Sequence, residues 1–144
     1  MAARGGLSGQ RFPWGYTIDW SHANYLSYWV GGGPHYSYDL APTSGTDPAF
    51  NDGVYPYTSP VGSFAANGYG LYDMAGNVFE WCGDWYGTPY AGGSDSRGAA
   101  SGNGRVLRGG SWYGTAYDSR CACRNFDLPS DAFSVYGFRC VRGL

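Results

Sequence analysis

Apolar residues fall along this chain in short bursts, punctuated every few positions by Gly, Pro, Ser, Thr, Asn and Asp. Arg105-Val-Leu-Arg-Gly-Gly-Ser-Trp112 predicts a strand, with Val106 and Leu107 apolar and Trp112 following. Its Gly109-Gly110 pair predicts a bulge or a close approach of two backbones. Tyr136 to Arg142 predicts a closing strand, with Phe138 and Cys140 on one face and Arg139 and Val141 on the other. Residues 31–60 and 87–104 lack hydrophobic periodicity and are expected to be loop. A long loop inside one domain is usually functional or packed on itself. Phe12-Pro13-Trp14-Gly15 marks a turn carrying two aromatic anchors. Ser21 to Trp29 allows a short helical or irregular segment, and Val61 to Phe64 an entry into the core.

Composition agrees with this punctuated pattern. Glycine supplies 25 of 144 residues and aromatics 19%, against 14% charged. Lysine is absent, and there is one Glu and one Gln, so the strongest polar helix formers are nearly missing. Short strands, turns and aromatic packing are therefore expected to dominate a single domain covering residues 1–144. A net charge of −2 without a basic run argues against nucleic acid as the main partner. No stretch approaches the roughly 18 apolar residues of a membrane helix. Compartment is left open.

Candidate chemistry concentrates in Asn67 to Tyr86, which holds the single Glu. Asp73 and Glu80 flank Gly76-Asn77, a pair suited to a turn at positive φ. Two carboxylates and turn carbonyls brought together make an oxygen cage for a hard cation such as calcium. Tyr69, Leu71, Tyr72, Phe79, Trp81 and Trp85 are expected to anchor that loop in a core. At Asn51-Asp52-Gly53 a carboxylate sits on a tight bend, where an ordinary Asx turn competes with metal binding. His22 lacks an evident orienting acid in sequence and is expected to be structural. The cysteines are Cys82, Cys121, Cys123 and Cys140, and Cys121-Ala-Cys123 lacks the second cluster of a zinc site.

Taken in order, FPWG, HANY, YPYTSPVGSF, NGYGLYDMAGNVFEWCGDWY, RVLRGGSW and GFRCVR resemble the formylglycine-generating enzyme family. This sulfatase-modifying-factor domain is an α+β, C-type-lectin-like fold with little regular structure and a small antiparallel sheet. The likeness implies two calcium ions. Asn24 and Asp52 would give side-chain ligands to the first, with the carbonyls of Tyr25 and Val54. Asp73 and Glu80 would serve the second, with the carbonyls of Gly76 and Val78. It also implies a copper-binding cysteine pair shortly after the Gly-Gly-Ser block. Here the first such position is Gly114 and the next residues, Thr115 to Asp118, contain no Cys, although Ser111 is kept. Copper is therefore not expected, since Cu(I) favours thiolate ligands. Cys121 and Cys140 match positions that form disulfides in some relatives. The counterpart of Cys121 falls at Ala3, so no such pairing is expected.

The resulting expectation is a non-catalytic, calcium-stabilised binding module for a protein or small ligand. Its contact face would run from residue 112 to 136. Ser111, Trp112, Tyr113 and Tyr117 begin that face, and Asp118, Asn125, Phe126, Phe133 and Tyr136 complete it. Aromatic and short polar residues make adaptable recognition surfaces. Relatives in diversity-generating retroelements vary this stretch through codons that exclude Lys, Glu, Gln, Met and Trp. Residues 113–136 contain none of these, but only about two would be expected from their whole-chain count of ten. Two other readings stand beside this one: an oxidative sulfatase-modifying enzyme, and a module that completes itself as a homo-oligomer.

Overall fold

The computed structural model describes residues 2–89 and 98–140. A 3-10 turn at Ala2–Arg4 is the only helical element among the described residues. Strands β1 (Trp29–Val30) and β2 (Gly33–Pro34) form a small antiparallel hairpin. A second sheet contains β3 (Phe79–Trp85), β4 (Arg105–Arg108), β5 (Asn125–Asp127) and β6 (Tyr136–Gly137). Their order is β5-β4-β3-β6. Strand β4 runs antiparallel to both β3 and β5, with Trp81 opposite Leu107 and Val106 opposite Phe126. Scarce helix and a small curled sheet make this a C-type-lectin-like α+β fold.

The sheet departs from the sequence reading at three places. Strand β4 stops at Arg108 rather than running to Trp112, because Gly109 and Gly110 take φ of +93° and +79°. Gly110 does give the expected close approach: a Cβ there would lie 2.7 Å from Ser119 Oγ. Strand β6 is short and pairs with β3 in parallel, so the sheet is mixed rather than purely antiparallel. Phe138 and Cys140 are exposed while Arg139 turns partly inward. Val141 and Arg142 lie outside the described residues. Strand β3 itself was not anticipated, since its run of aromatics around Gly83 gives no clean alternation.

One core cluster is built mainly from the first half of the chain. Phe12, Ile18, Ala23, Tyr25 and Ala41 are buried together with Ala75 and Ala116. Trp14, Trp20, Tyr36 and Tyr38 pack around them. The ring ladder expected for Asn67–Tyr86 is only partly realised: Phe79 is buried, but Tyr69 and Tyr72 are about half exposed. Fully buried Asp39 organises the loop before residue 60. It accepts bonds from the Tyr25 hydroxyl, from Ser27 Oγ at 2.8 Å and from the Ala41 amide at 3.1 Å. A buried carboxylate is tolerated only when so satisfied. This network is what packs the long loop on itself. Burial, aided by the bond to Asp39, pushes the Tyr25 phenol far above its ordinary pKa.

Candidate functional site

The turn at Gly76-Asn77 forms as its sequence dictates, with φ of +76° and +65°. Asn77 ties three segments together. Its amide donates to the Asn24 carbonyl at 2.8 Å, and its own carbonyl accepts from the Trp112 amide at 2.7 Å. Its side chain exchanges two bonds with the Ser59 backbone, at 2.8 and 3.2 Å. Gly76 packs so closely that a Cβ there would lie 2.3 Å from the Asn24 carbonyl oxygen.

The flanking carboxylates are turned to other partners. Asp73 Oδ2 accepts from the Gly62 amide at 2.5 Å, and Oδ1 from the Phe64 amide at 3.1 Å. Glu80 meets Arg139, whose Nη2 and Nε reach Oε1 at 2.7 and 3.0 Å and whose Nε also reaches Oε2 at 3.1 Å. The same Nη2 donates to the Tyr72 carbonyl at 2.9 Å. Arg139 thus supplies the positive charge between this turn and β6. In this arrangement both carboxylates are engaged by protein donors, Asp73 by two amides and Glu80 by Arg139.

Asn24 presents the opposite case. It is completely buried, its Nδ2 donates to the Tyr57 carbonyl at 2.8 Å, and its Oδ1 has no partner. A buried carbonyl-type oxygen without a donor is costly and is a good ligand for a hard cation. Asn24 therefore fits the first calcium position. The other expected ligands are less committed. Asp52 and Val54 sit on an exposed bend, where Asp52 Oδ1 accepts from the Val54 amide at 2.9 Å in an Asx turn. The Tyr25 carbonyl accepts from Trp20 Nε1 at 3.1 Å.

The stretch expected to form one recognition face divides by burial. Ser111 and Trp112 are each 1% exposed and cannot be contact residues. Ser111 Oγ accepts from the Gly114 amide at 2.9 Å. Trp112 packs among Tyr55, Tyr57 and Tyr113 and donates to the Ser134 carbonyl at 3.3 Å. Tyr113, Tyr117, Phe126 and Phe133 are exposed, as is Asn125. Asp118 is bound locally to the Thr115 amide and hydroxyl, at 2.8 and 3.0 Å. Tyr136 is half-buried against Phe133 and Trp81, and its hydroxyl donates to Asp127 at 2.5 Å. Burial and that bond push the Tyr136 phenol up to about 12, and the bond pulls Asp127 below its ordinary value.

Several aromatic neighbours come from outside the expected stretch. Tyr55 is exposed, lies edge-on to Trp112 and bonds Ser134 Oγ at 3.0 Å. Tyr36 approaches Tyr117, and Tyr86 stacks on Phe126 with centroids 4.3 Å apart. The Tyr-Pro-Tyr run was the one visible signal for Tyr55.

The thiols do not gather into a reactive centre. All described cysteines are free. Burial pushes the Cys82, Cys121 and Cys123 thiols up, which disfavours thiolate. His22 does have an acid partner, contrary to expectation: Asp19 Oδ1 lies 2.8 Å from its Nδ1. Ser21 Oγ contacts that same ring nitrogen, so the three residues cannot relay a proton across the imidazole. Burial tends to raise the Asp19 pKa, but its bonds to Ser21 and His22 outweigh this and lower it.

The fold and this arrangement define a C-type-lectin-like domain of the formylglycine-generating type. The model of the sulfatase-modifying factor enzyme 1-like domain matches residues 1–144, and the chain belongs to that family. The formylglycine-generating enzyme of Thermomonospora curvata is 37% identical over 98% of this chain and 46% of its own length. The inactive C-alpha-formylglycine-generating enzyme 2 of Bos taurus is 37% identical over 99% and 41%. Among solved structures, PvdO from Pseudomonas aeruginosa superposes with a TM-score of 0.64 at 30% identity, over 95% of this chain and 46% of its own. Treponema denticola variable protein 1 reaches 0.52 at 46% identity, over 56% and 30%. The chain spans about a fifth to a half of the length of the curated relatives it matches.

Proposed function

We propose that this domain is a non-catalytic binding module that holds a protein or small-molecule ligand on the exposed aromatic residues around Trp112. The observation that carries this reading is the absence of cysteine from Gly114 to Asp118, beside exposed Tyr113 and Tyr117. In the enzymes that this chain resembles, a thiol pair there binds copper. Here the segment is a turn closed on Ser111 and Asp118. Exposed rings standing on a buried Trp112 give a rigid, amphipathic contact surface at low entropic cost. A relative named as inactive and another named as a variable protein are compatible with a scaffold used for binding.

The test is turnover. With copper, oxygen and a cysteine-containing peptide, no aldehyde product is expected above the protein-free background. Oxygen-dependent, multiple-turnover product would sink the reading.

Calcium at Asn24 is the second part of the proposal. Asn24 Oδ1 would be its buried ligand, and the ion would join the segment around residue 24 to the bend at residues 52–54. An ion that binds only the folded state adds about 2.7 kcal/mol at a free concentration of one hundred times Kd. Melting should therefore rise with calcium and fall in excess chelator. Coincident transitions in the two conditions would remove the ion from the account.

A further inference from the structure

A small cavity of about 150 Å³ lies between two loops in the first half of the chain, apart from the rings around Trp112. Pro13, Trp14, Ser21 and His22 form one wall, and residues 65–68 form the other. We propose that it is a binding site for a free small phenol, a single six-membered ring whose hydroxyl donates to His22 Nε2.

The polar anchor follows from Asp19. Its Oδ1 lies 2.8 Å from His22 Nδ1. An ionised carboxylate can only accept, so Nδ1 of the neutral ring carries the hydrogen and Nε2 presents a lone pair. Among the described residues nothing pairs with Nε2. The other polar side chains of the lining are already committed. Ser21 Oγ donates to Asp19 Oδ1 at 2.5 Å. Asn67 Nδ2 donates to the Ala2 carbonyl at 2.8 Å, and its Oδ1 accepts from the amides of Tyr69 and Leu71 at 2.9 and 3.2 Å. One acceptor calls for a ligand with one donor. A sugar, with several hydroxyls, finds too few side-chain partners here, and a charged ligand would lie against walls that are otherwise apolar.

The walls suit a ring in size and in stiffness. An apolar cavity of about this volume holds one benzene-sized molecule. Pro13, Ala65 and Ala66 supply apolar surface, and Trp14 is fixed before any ligand arrives. Its indole stacks on Phe12 at 5.7 Å and on His22 at 4.9 Å, and its Nε1 donates to the Thr17 carbonyl at 2.8 Å. The facing loop is pinned as well: a Cβ on Gly68 would lie 2.3 Å from the Gly5 carbonyl oxygen. A site held on both sides loses little freedom when it is filled.

Titration of the isotope-labelled protein with p-cresol, followed by NMR at the Trp14 indole and the His22 ring, tests this. Saturable shifts centred on the cavity are expected. Toluene and p-methylanisole, which cannot donate, should bind about two- to tenfold more weakly, the share of one hydrogen bond. His22→Phe keeps a ring against Trp14 but removes Nε2, and should erase that preference. Ala66→Leu, at an exposed position on the wall, should fill the space and weaken all of these ligands. The comparison of ligands on the wild type stands even if His22→Phe fails to fold. Absence of saturable shifts, equal binding of toluene, or a preference that survives in His22→Phe would each overturn the proposal. So would binding of methyl glucoside as tight as that of p-cresol. Tighter binding of the peptide Gly-Tyr-Gly than of p-cresol would also overturn it, since the pocket would then serve a polypeptide's tyrosine.

Discussion

Arg139 and Gly76 are the residues whose replacement should show most directly how this domain is held. The Arg139–Glu80 pair is about one-quarter to one-third exposed, and Arg139 also caps the Tyr72 carbonyl. Arg139→Gln should cost about 1–3 kcal/mol in chemical denaturation, the range for losing hydrogen bonds to a charged group. A loss within about 0.5 kcal/mol, ordinary for an isolated surface charge, would show that the pair holds nothing. Gly76→Ala should be far worse than Gly9→Ala, although both positions have positive φ. At Gly9 nothing lies near the added methyl, so only conformational strain of about 1 kcal/mol is expected. At Gly76 the methyl meets the Asn24 carbonyl and the backbone must move. Similar melting temperatures for the two variants would contradict that packing.

Strand β6 enters the sheet beside β3 and is fastened to the end of β5 by the Tyr136–Asp127 bond. Its pH dependence follows from the two shifts. The Asp127 pKa is lowered, so its stabilisation is present above the ordinary carboxylate range and is lost as pH falls through the lowered value. The Tyr136 pKa is raised, so its contribution is complete below about 10 and is lost as pH rises through about 12. Tyr136→Phe should flatten both flanks of the stability profile. Persistence of both flanks in that variant would place the titrating groups elsewhere. At this scale the sequence was readable where local chemistry decides. The Gly76-Asn77 turn, the start of β4 and the double-glycine approach all follow from a few adjacent residues. Strand β3 and the parallel sense of β6 do not, because they depend on partners twenty or more residues away. The inward turn of Arg139 was likewise hidden, since a GFRC alternation is equally consistent with either face being covered.

Across the whole molecule, the buried hydrophobic residues run from Phe12 to Cys123, and the exposed rings around Trp112 bring Tyr55 together with Tyr113. The family and the fold were legible in ordered sequence blocks. The five arginines that line the cleft over β3 were not, because they come from positions 4, 108, 120, 124 and 139 and form no run. The unpartnered Asn24 oxygen was hidden for a similar reason: burial is a property of the assembled chain. Trp112→Ala should remove the common support of Tyr55, Tyr57 and Tyr113 and cost about 3–5 kcal/mol. A small loss in calorimetry would mean that those rings stand independently.

The Asn77 tie has a consequence for hydrogen exchange. In a helical domain, slow amides come in contiguous blocks. Here the amides of Gly76, Asn77 and Trp112 donate to carbonyls in other segments, as do those of Ile18 and Leu26. Protection should therefore appear as single slow residues, or short pairs such as Gly76-Asn77, set among fast ones. The slow amides of Asn77 and Trp112 should also release together, because opening the turn breaks both bonds at once. Their exchange rates would then respond in parallel to mild denaturant, as one unit joining residues 24, 59, 77 and 112 across most of the chain.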